Sequence, residues 1–341
     1  MEGLRGINGG GASPPYSKGP YTWDQQVTFT GGLAGVNAHA NVWYVDGNTG
    51  SAANDGKGWA TAFALIQTAV TAASSGDTIF VESIKIGTGG SDPGNYTENI
   101  IIPPATDRLS IIGVNRGRTQ GGLPQLKIGA TTTSPVLTIR APGCLIANLC
   151  INGAGGTGGG ILLDDDSGSA ETKSAFGTTI YGCYFKNCVG TTATNAATGG
   201  AIQWTALGGA WQTLIKGNRF YKNVGDIVMK GTSDGVVQDV VIEDNIFSGP
   251  TTSVDTNIYV AADGISGLII RNNCFTCYPA LNSGTNAECL TLGTGCIGVI
   301  TGNDFGFTGK SFGATADNKV PTTMLMANNW QEAGSFQVLR T

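Results

Sequence analysis

The sequence predicts an all-β chain wound into a parallel β-solenoid, and three observations predict it. The phrase Ile-x-x-Asn-x-Phe returns through residues 180–305 at gaps of 35, 27, 28 and 30 residues. A period between roughly 20 and 50 residues marks stacked units that each contact only their neighbours. Between the copies lie short β-branched runs and no long helical pattern, which suits strands buried in a sheet and excludes helical solenoids. Gly accounts for 54 of 341 residues and charged residues for only 13%. That is the composition of short strands joined by tight turns.

The copies read Ile180-Tyr-Gly-Cys-Tyr-Phe185, Ile215-Lys-Gly-Asn-Arg-Phe220, Ile242-Glu-Asp-Asn-Ile-Phe247, Ile270-Arg-Asn-Asn-Cys-Phe275 and Ile300-Thr-Gly-Asn-Asp-Phe305. Asn218, Asn245, Asn273 and Asn303 share one place, which Cys183 takes in the first copy. One strand before this place and one after it, with a sharp bend between, makes a corner. Asn suits the bend because it tolerates left-handed backbone geometry. Its amide can also donate to the same amide on the adjacent rung, forming a ladder. The Phe is then expected to point inward and stack, each one contributing roughly 1.5–3 kcal/mol on burial.

Taken in order, residues 1–41 form an extended arm and residues 42–341 the solenoid. The arm carries Gly9–Gly11, Pro14, Pro15 and Pro20, with Tyr16, Tyr21, Trp23 and Phe29 along it. So little capacity for a core, combined with aromatics, suggests docking on a partner surface. Val42–Val45 reads as a strand, and Asp46 to Gly56 as a polar loop. A helix is expected at about 62–73, with Phe63, Ile66, Ala69, Val70 and Ala73 on one face. Thr61 is its expected cap, and Gly76 lies past its end. Such a helix would cover the open end of the solenoid. Thr78–Val81, Ile100–Ile102, Leu109–Ile112, Val136–Ile139 and Leu145–Leu149 follow as strands of early rungs, and Gly158–Gly160 lead into Ile161–Leu163. Gly- and Thr-rich insertions account for the long first gap, and Met324–Trp330 closes the late rungs.

With these residues in view, the chain resembles the right-handed parallel β-helix superfamily, which includes pectate lyases, polygalacturonases and many bacteriophage tailspikes. The resemblance rests on the strand, asparagine turn, strand unit over about residues 42–330. It also rests on the opening Tyr-Val-Asp strand, Asn-Asp-Gly loop and short helix leading to Gly76-Asp-Thr-Ile79. It implies a right-handed parallel β-helix with a short N-terminal capping helix, and it is nearly silent on activity.

Pectinolytic and glycosidic β-helices work with carboxylates on a solvent face. Asp164-Asp165-Asp166 is the sole acidic triplet, and strand alternation would turn Asp164 and Asp166 to one side. A solvated turn explains the run more simply. Asp239, Glu243 and Asp244 with Arg219 or Arg271 could form a lyase-like cation site and base, but the repeat places Glu243, Arg219 and Arg271 at exposed turn positions. The polygalacturonase set of Asn-Thr-Asp, Gly-Asp-Asp, Gly-His-Gly and Arg-x-Lys does not occur together, and the one His, His39, lies in the arm. Asp46, Asn48, Asn54 and Asp55 lack calcium-loop spacing and read as turn chemistry. Arg116 and Arg118 read as a solvated basic loop. Cys274-x-x-Cys277 with Cys289 and Cys296 has the look of a zinc set. The strand-flanking positions of these and of Cys144, Cys150, Cys183 and Cys188 read better as small apolar fillers. Trp204 and Trp211 are candidates for stacking on sugars or for filling a subunit contact. No residue is therefore assigned a catalytic, cofactor-binding or metal role.

The net charge of −5 argues against nucleic acid as a partner. No apolar run approaches the roughly 18 residues of a membrane span. Residues 1–30 lack a signal core, so synthesis in a cytoplasm without standard export is expected. The layout of an aromatic arm before a β-helix resembles a phage spike, head fibre or capsid decoration. The expectation is a non-enzymatic virion protein, homotrimeric, anchored to other virion proteins through residues 1–41 and facing a host-surface glycan. The alternative is a polysaccharide lyase or glycoside hydrolase of tailspike type.

Overall fold

A computed structural model describes residues 40–85, 94–114, 122–164, 174–191, 199–204, 211–229, 237–248, 256–261, 264–276, 288–305, 312–313 and 318–330. Residues 1–39 of the arm, Asp165, Asp166, Arg116, Arg118 and Cys277 lie outside the described residues. Within them the chain is a right-handed parallel β-helix. Every strand pairing is parallel, and three sheets run the length of the coil.

One turn is laid down by Leu214–Lys216 in the first sheet, Arg219–Tyr221 in the second and Gly225–Met229 in the third. The chain then returns to the first sheet at Val241–Glu243. In register, Ile79, Ile111, Ile146, Ile180, Ile215, Ile242, Ile270 and Ile300 form one inward column of the first sheet. All are buried. The Phe column lines the second sheet: Phe185, Phe220, Phe247, Phe275 and Phe305 stack with ring centroids 5.0, 4.9, 4.7 and 4.8 Å apart. That spacing is the strand-to-strand distance, so each ring covers the next without leaving the ladder.

The corner between first and second sheets holds the expected amide ladder, with one correction. Asn218, Asn245, Asn273 and Asn303 are not the left-handed residues. Positive φ falls one place earlier, at Gly182, Gly217, Asp244, Asn272 and Gly302, with φ of 63, 65, 57, 55 and 65°. The bend is thus made by one residue and satisfied by the next. Each ladder Asn donates to a backbone oxygen of the preceding rung, as Asn245 does to Ile215 and Asn273 to Ile242. The ladder ends among the described residues at Asn329, which accepts from Asn303.

The N-terminal helix is shorter than expected. Trp59–Thr61 forms a 3-10 turn, and α1 spans Ile66–Ala72. The predicted apolar face is correct: Phe63, Ile66, Ala69, Val70 and Ala73 are all buried. The predicted cap is not. Thr61 lies too early, and the N-terminal amides of Ile66 and Gln67 donate instead to the Glu98 carboxylate, at 3.0 and 2.9 Å. α1 packs against the first strands of all three sheets, Val42–Asp46, Asn95–Glu98 and Ile100–Ile102. Among the described residues no helix is long and apolar enough to cross a membrane.

Candidate functional site

Strand alternation sends the residues that flank each inward Ile to the outer face of the first sheet. One outward column runs Tyr44, Phe80, Ile112, Ala147, Tyr181, Lys216, Glu243, Arg271, Thr301 and Ala327, register partner by register partner. Rings and aliphatic groups fill its first half, and ions follow. Trp59 meets Tyr44 edge-on at 4.9 Å, Tyr44 lies 6.1 Å from Phe80, and Trp59 and Tyr181 are 40% and 41% exposed. Beside it runs a half-buried column that includes Leu145, Leu214, Val241, Ile269 and Val299. The sequence reading missed this face. Aligning the rungs on their Ile and reading one place onward would have found it.

The ionic half is a ladder across three rungs. Lys216 Nζ reaches Glu243 Oε1 at 2.8 Å and Asp244 Oδ2 at 3.3 Å. Arg271 binds Glu243 Oε2 through Nε at 2.6 Å and Nη2 at 2.5 Å. The Lys216 hydrogen bond, aided by Arg271 and opposed by burial, holds the Glu243 carboxyl below its ordinary value. Glu243 is therefore buried at 6% exposure, contrary to the exposed position expected of it, because two long side chains close over it from both neighbouring rungs. Arg271 joins this cluster. Arg219 does not, since it lies on the second sheet. Asp239 sits at the corner entering the first sheet, at φ 58°. A carboxylate held ionised by two cations is a poor proton donor and has its oxygens occupied.

Asp164, the described member of the acidic triplet, follows the third-sheet strand Ile161–Leu163 and accepts from Arg140 Nε at 2.9 Å. Asp46 accepts from the amide of Asn48 at 2.8 Å and from the Thr49 hydroxyl, which is turn chemistry as expected. The two tryptophans offered for stacking on sugars or for a subunit contact both pack against the core. Trp204 alternates inward with Ile202, is 1% exposed and stacks in register between Leu163 and Met229. Trp211 packs against the core, and among the described residues neither indole N–H finds a partner.

Cys144, Cys150, Cys183, Cys188, Cys289 and Cys296 are buried, as fillers are. Burial pushes the thiols of Cys144 and Cys183 up to about 12 and of Cys296 up to about 11. Such thiols resist the ionisation that a metal ligand or nucleophile needs.

No protein-family model matches the sequence, and no curated protein resembles it significantly. Among solved structures, the chain is similar to a GH136 lacto-N-biosidase from Eubacterium ramulus, with a TM-score of 0.51 at 11% identity. The match covers 85% of this chain and 56% of that one, so the chain spans just over half the length of that enzyme. An alginate lyase from Paenibacillus sp. str. FPU-7 matches at 15% identity over 79% of this chain and 92% of its own, with a TM-score of 0.48. Pectate lyase Pel9A matches at 11% identity over 88% and 79%, with a TM-score of 0.44. At these identities the likeness is one of fold. The chain has the right-handed parallel β-helix fold that the resemblance implies.

Proposed function

We propose that this β-helix engages a polysaccharide along the outer face of its first sheet. The observation that carries the reading is the single outward column from Tyr44 to Arg271. It sets the half-buried rings of Tyr44 and Phe80 and the exposed ring of Tyr181 in line with a fixed ladder of hydrogen-bonding groups, with a half-buried apolar stripe alongside. Rings present a flat apolar surface to the C–H faces of sugars, while the polar ladder answers their hydroxyls. Fold supports the reading by analogy, because the neighbour from Eubacterium ramulus is named as a lacto-N-biosidase. Among the described residues Asp164, Glu243 and Asp244 are tied in ion pairs, which favours holding the glycan over cutting it. The test is to incubate purified protein with a polysaccharide panel, measuring retention and chain length together. Retention lost in Tyr181→Ala supports the proposal, and no retention of any polymer removes it. Shortened chains would select the lyase or hydrolase alternative.

A second reading keeps the solenoid as a displayed part of a virion, homotrimeric and anchored through residues 1–41. It rests on the aromatics Tyr16, Tyr21, Trp23 and Phe29 in the arm. Solution mass and particle binding, compared for the full chain and a chain lacking residues 1–40, test it. Trimers of both forms, with particle binding by the full chain alone, would support it, and monomers that bind nothing would remove it.

A further inference from the structure

We infer that the ligand of the first sheet's outer face is a straight, ribbon-like glycan with equatorial linkages, such as a β-1,4-linked chain, laid along the coil over the rungs from Tyr44 to Tyr181. The inference rests on the proposed glycan reading and narrows its ligand class. The rings and hydroxyls of that face, and the straight line they keep, carry it.

Two outward columns run side by side over these rungs. One is Tyr44, Phe80, Ile112, Ala147 and Tyr181, and the other is Val42, Thr78, Ser110, Leu145 and Thr179. The pairings that build them carry no register shift, so both columns are straight. Trp59 extends the ring column at its N-terminal end, edge-on to Tyr44. Among the described residues, the hydroxyls of Tyr44, Thr78, Ser110, Thr179 and Tyr181 meet no hydrogen-bond partner, and none of these residues is buried. Each hydroxyl is thus a donor and an acceptor left for something outside the protein. Past Tyr181 the pattern changes. The second column becomes Leu214, Val241, Ile269 and Val299, while Lys216 and Arg271 turn to Glu243 and Asp244.

Tyr44 and Tyr181 are four rungs apart, about 19 Å at ~4.8 Å per strand. A sugar ring is about as long as one such spacing, so roughly five sugars in a row lie over these rungs. An equatorially linked chain keeps its rings in a straight row and turns C–H faces to the aromatic column. Its hydroxyls project sideways, toward Thr78, Ser110 and Thr179. An α-1,4-linked chain has an axial bond at each link and curves away from a straight column.

Calorimetric titration and tryptophan emission decide the question, using cello-, manno- and xylo-oligosaccharides of two to eight sugars against maltohexaose. The expected result is binding of at least one equatorially linked series, tightening at least tenfold from two sugars to about five and levelling beyond. Maltohexaose should bind at least tenfold more weakly than the hexasaccharide of that series. Tyr181→Ala should cost that hexasaccharide at least tenfold, and Thr78→Val and Thr179→Val at least threefold each. Because these side chains are not buried, the variants should keep the circular dichroism of the wild type. Equal or tighter binding of maltohexaose, or affinity that does not grow with length, overturns the inference and leaves the glycan reading intact. Retention of a polymer with none of these oligosaccharides bound does the same. Binding of neither overturns both. Self-association that Tyr181→Ala dissolves, with no glycan retained, assigns the face to a second copy and also overturns both.

Discussion

One side-chain oxygen of Asn273 accepts both the backbone N–H and the side-chain amide of Asn245, each at 3.0 Å. The Asn273 amide in turn donates to Ile242 O and to Asn303 Oδ1, both at 2.9 Å. Asn273 is 1% exposed, so no water replaces these bonds. Asn273→Ala strands several buried groups at once and is expected to cost about 3–5 kcal/mol. Urea unfolding followed by circular dichroism measures it. A loss below about 1 kcal/mol would mean that the ladder is dispensable.

Cys183 interrupts that ladder at its start. Its backbone N–H already reaches Asn218 Oδ1 at 2.9 Å, and its sulfur lies 3.7 Å from Ile146 O, where the other copies place an amide donor. Cys183→Asn is expected to extend the ladder by one rung and stabilise the protein by about 1 kcal/mol. A lower unfolding midpoint than wild type would refute this.

Phe247 lies between Phe220 and Phe275 and is fully buried. Phe247→Ala opens a cavity flanked by two rings and is expected to cost about 3–5 kcal/mol, against less than about 1.5 kcal/mol for Phe247→Leu. The contrast between the two variants, read from unfolding midpoints, separates packing from mere hydrophobicity.

Two glutamates should give pH dependences of opposite sign. Glu243 has a folded pKa below its unfolded value, so its contribution is present above the unfolded value and is lost as pH falls through the folded one. Glu98, buried against α1, has its pKa raised by that burial despite the two amides it accepts. The folded state therefore binds its proton more tightly, and stability declines as pH rises through the window between the unfolded and folded values. Calorimetry from pH 3 to 8 should show that Glu243→Gln removes a gain on going up in pH. Glu98→Gln should remove a loss.

The coil and its amide corner were legible because Ile, Asn and Phe recur at fixed offsets within six residues. What was not legible depends on residues a rung or more apart. Glu98 caps a helix whose first turn lies 32 residues earlier, a distance that no local capping rule covers. Glu243 is buried by Lys216 and Arg271, 27 and 28 positions away in sequence but adjacent in space. Trp204 looked like a surface ring because its neighbours in sequence are Gly-rich. The strand it ends turns it inward. The left-handed residue lies one place earlier than expected because Gly, Asp and Asn share that position, whereas Asn stands beside it in four of the five copies. That misplacement is itself testable. Asn272→Val should cost about 1–2 kcal/mol at φ 55°, and Asn272→Gly far less.

The amide corner also makes the length of this protein a quantised variable. Ile270 and Ile300 hold the same place on successive rungs, and so do Asn245, Asn273 and Asn303. Excising residues 270–299 would join Ile269 to Ile300, lay Asn303 against Asn245 and set Phe305 on Phe247. The chain would lose one storey while every remaining floor kept its neighbours' shape. A deletion at this corner that does not match the gap between copies would carry Asn303 out of line with Asn245. Such a chain can therefore lengthen or shorten over time only in whole steps, with its loops free to drift between them.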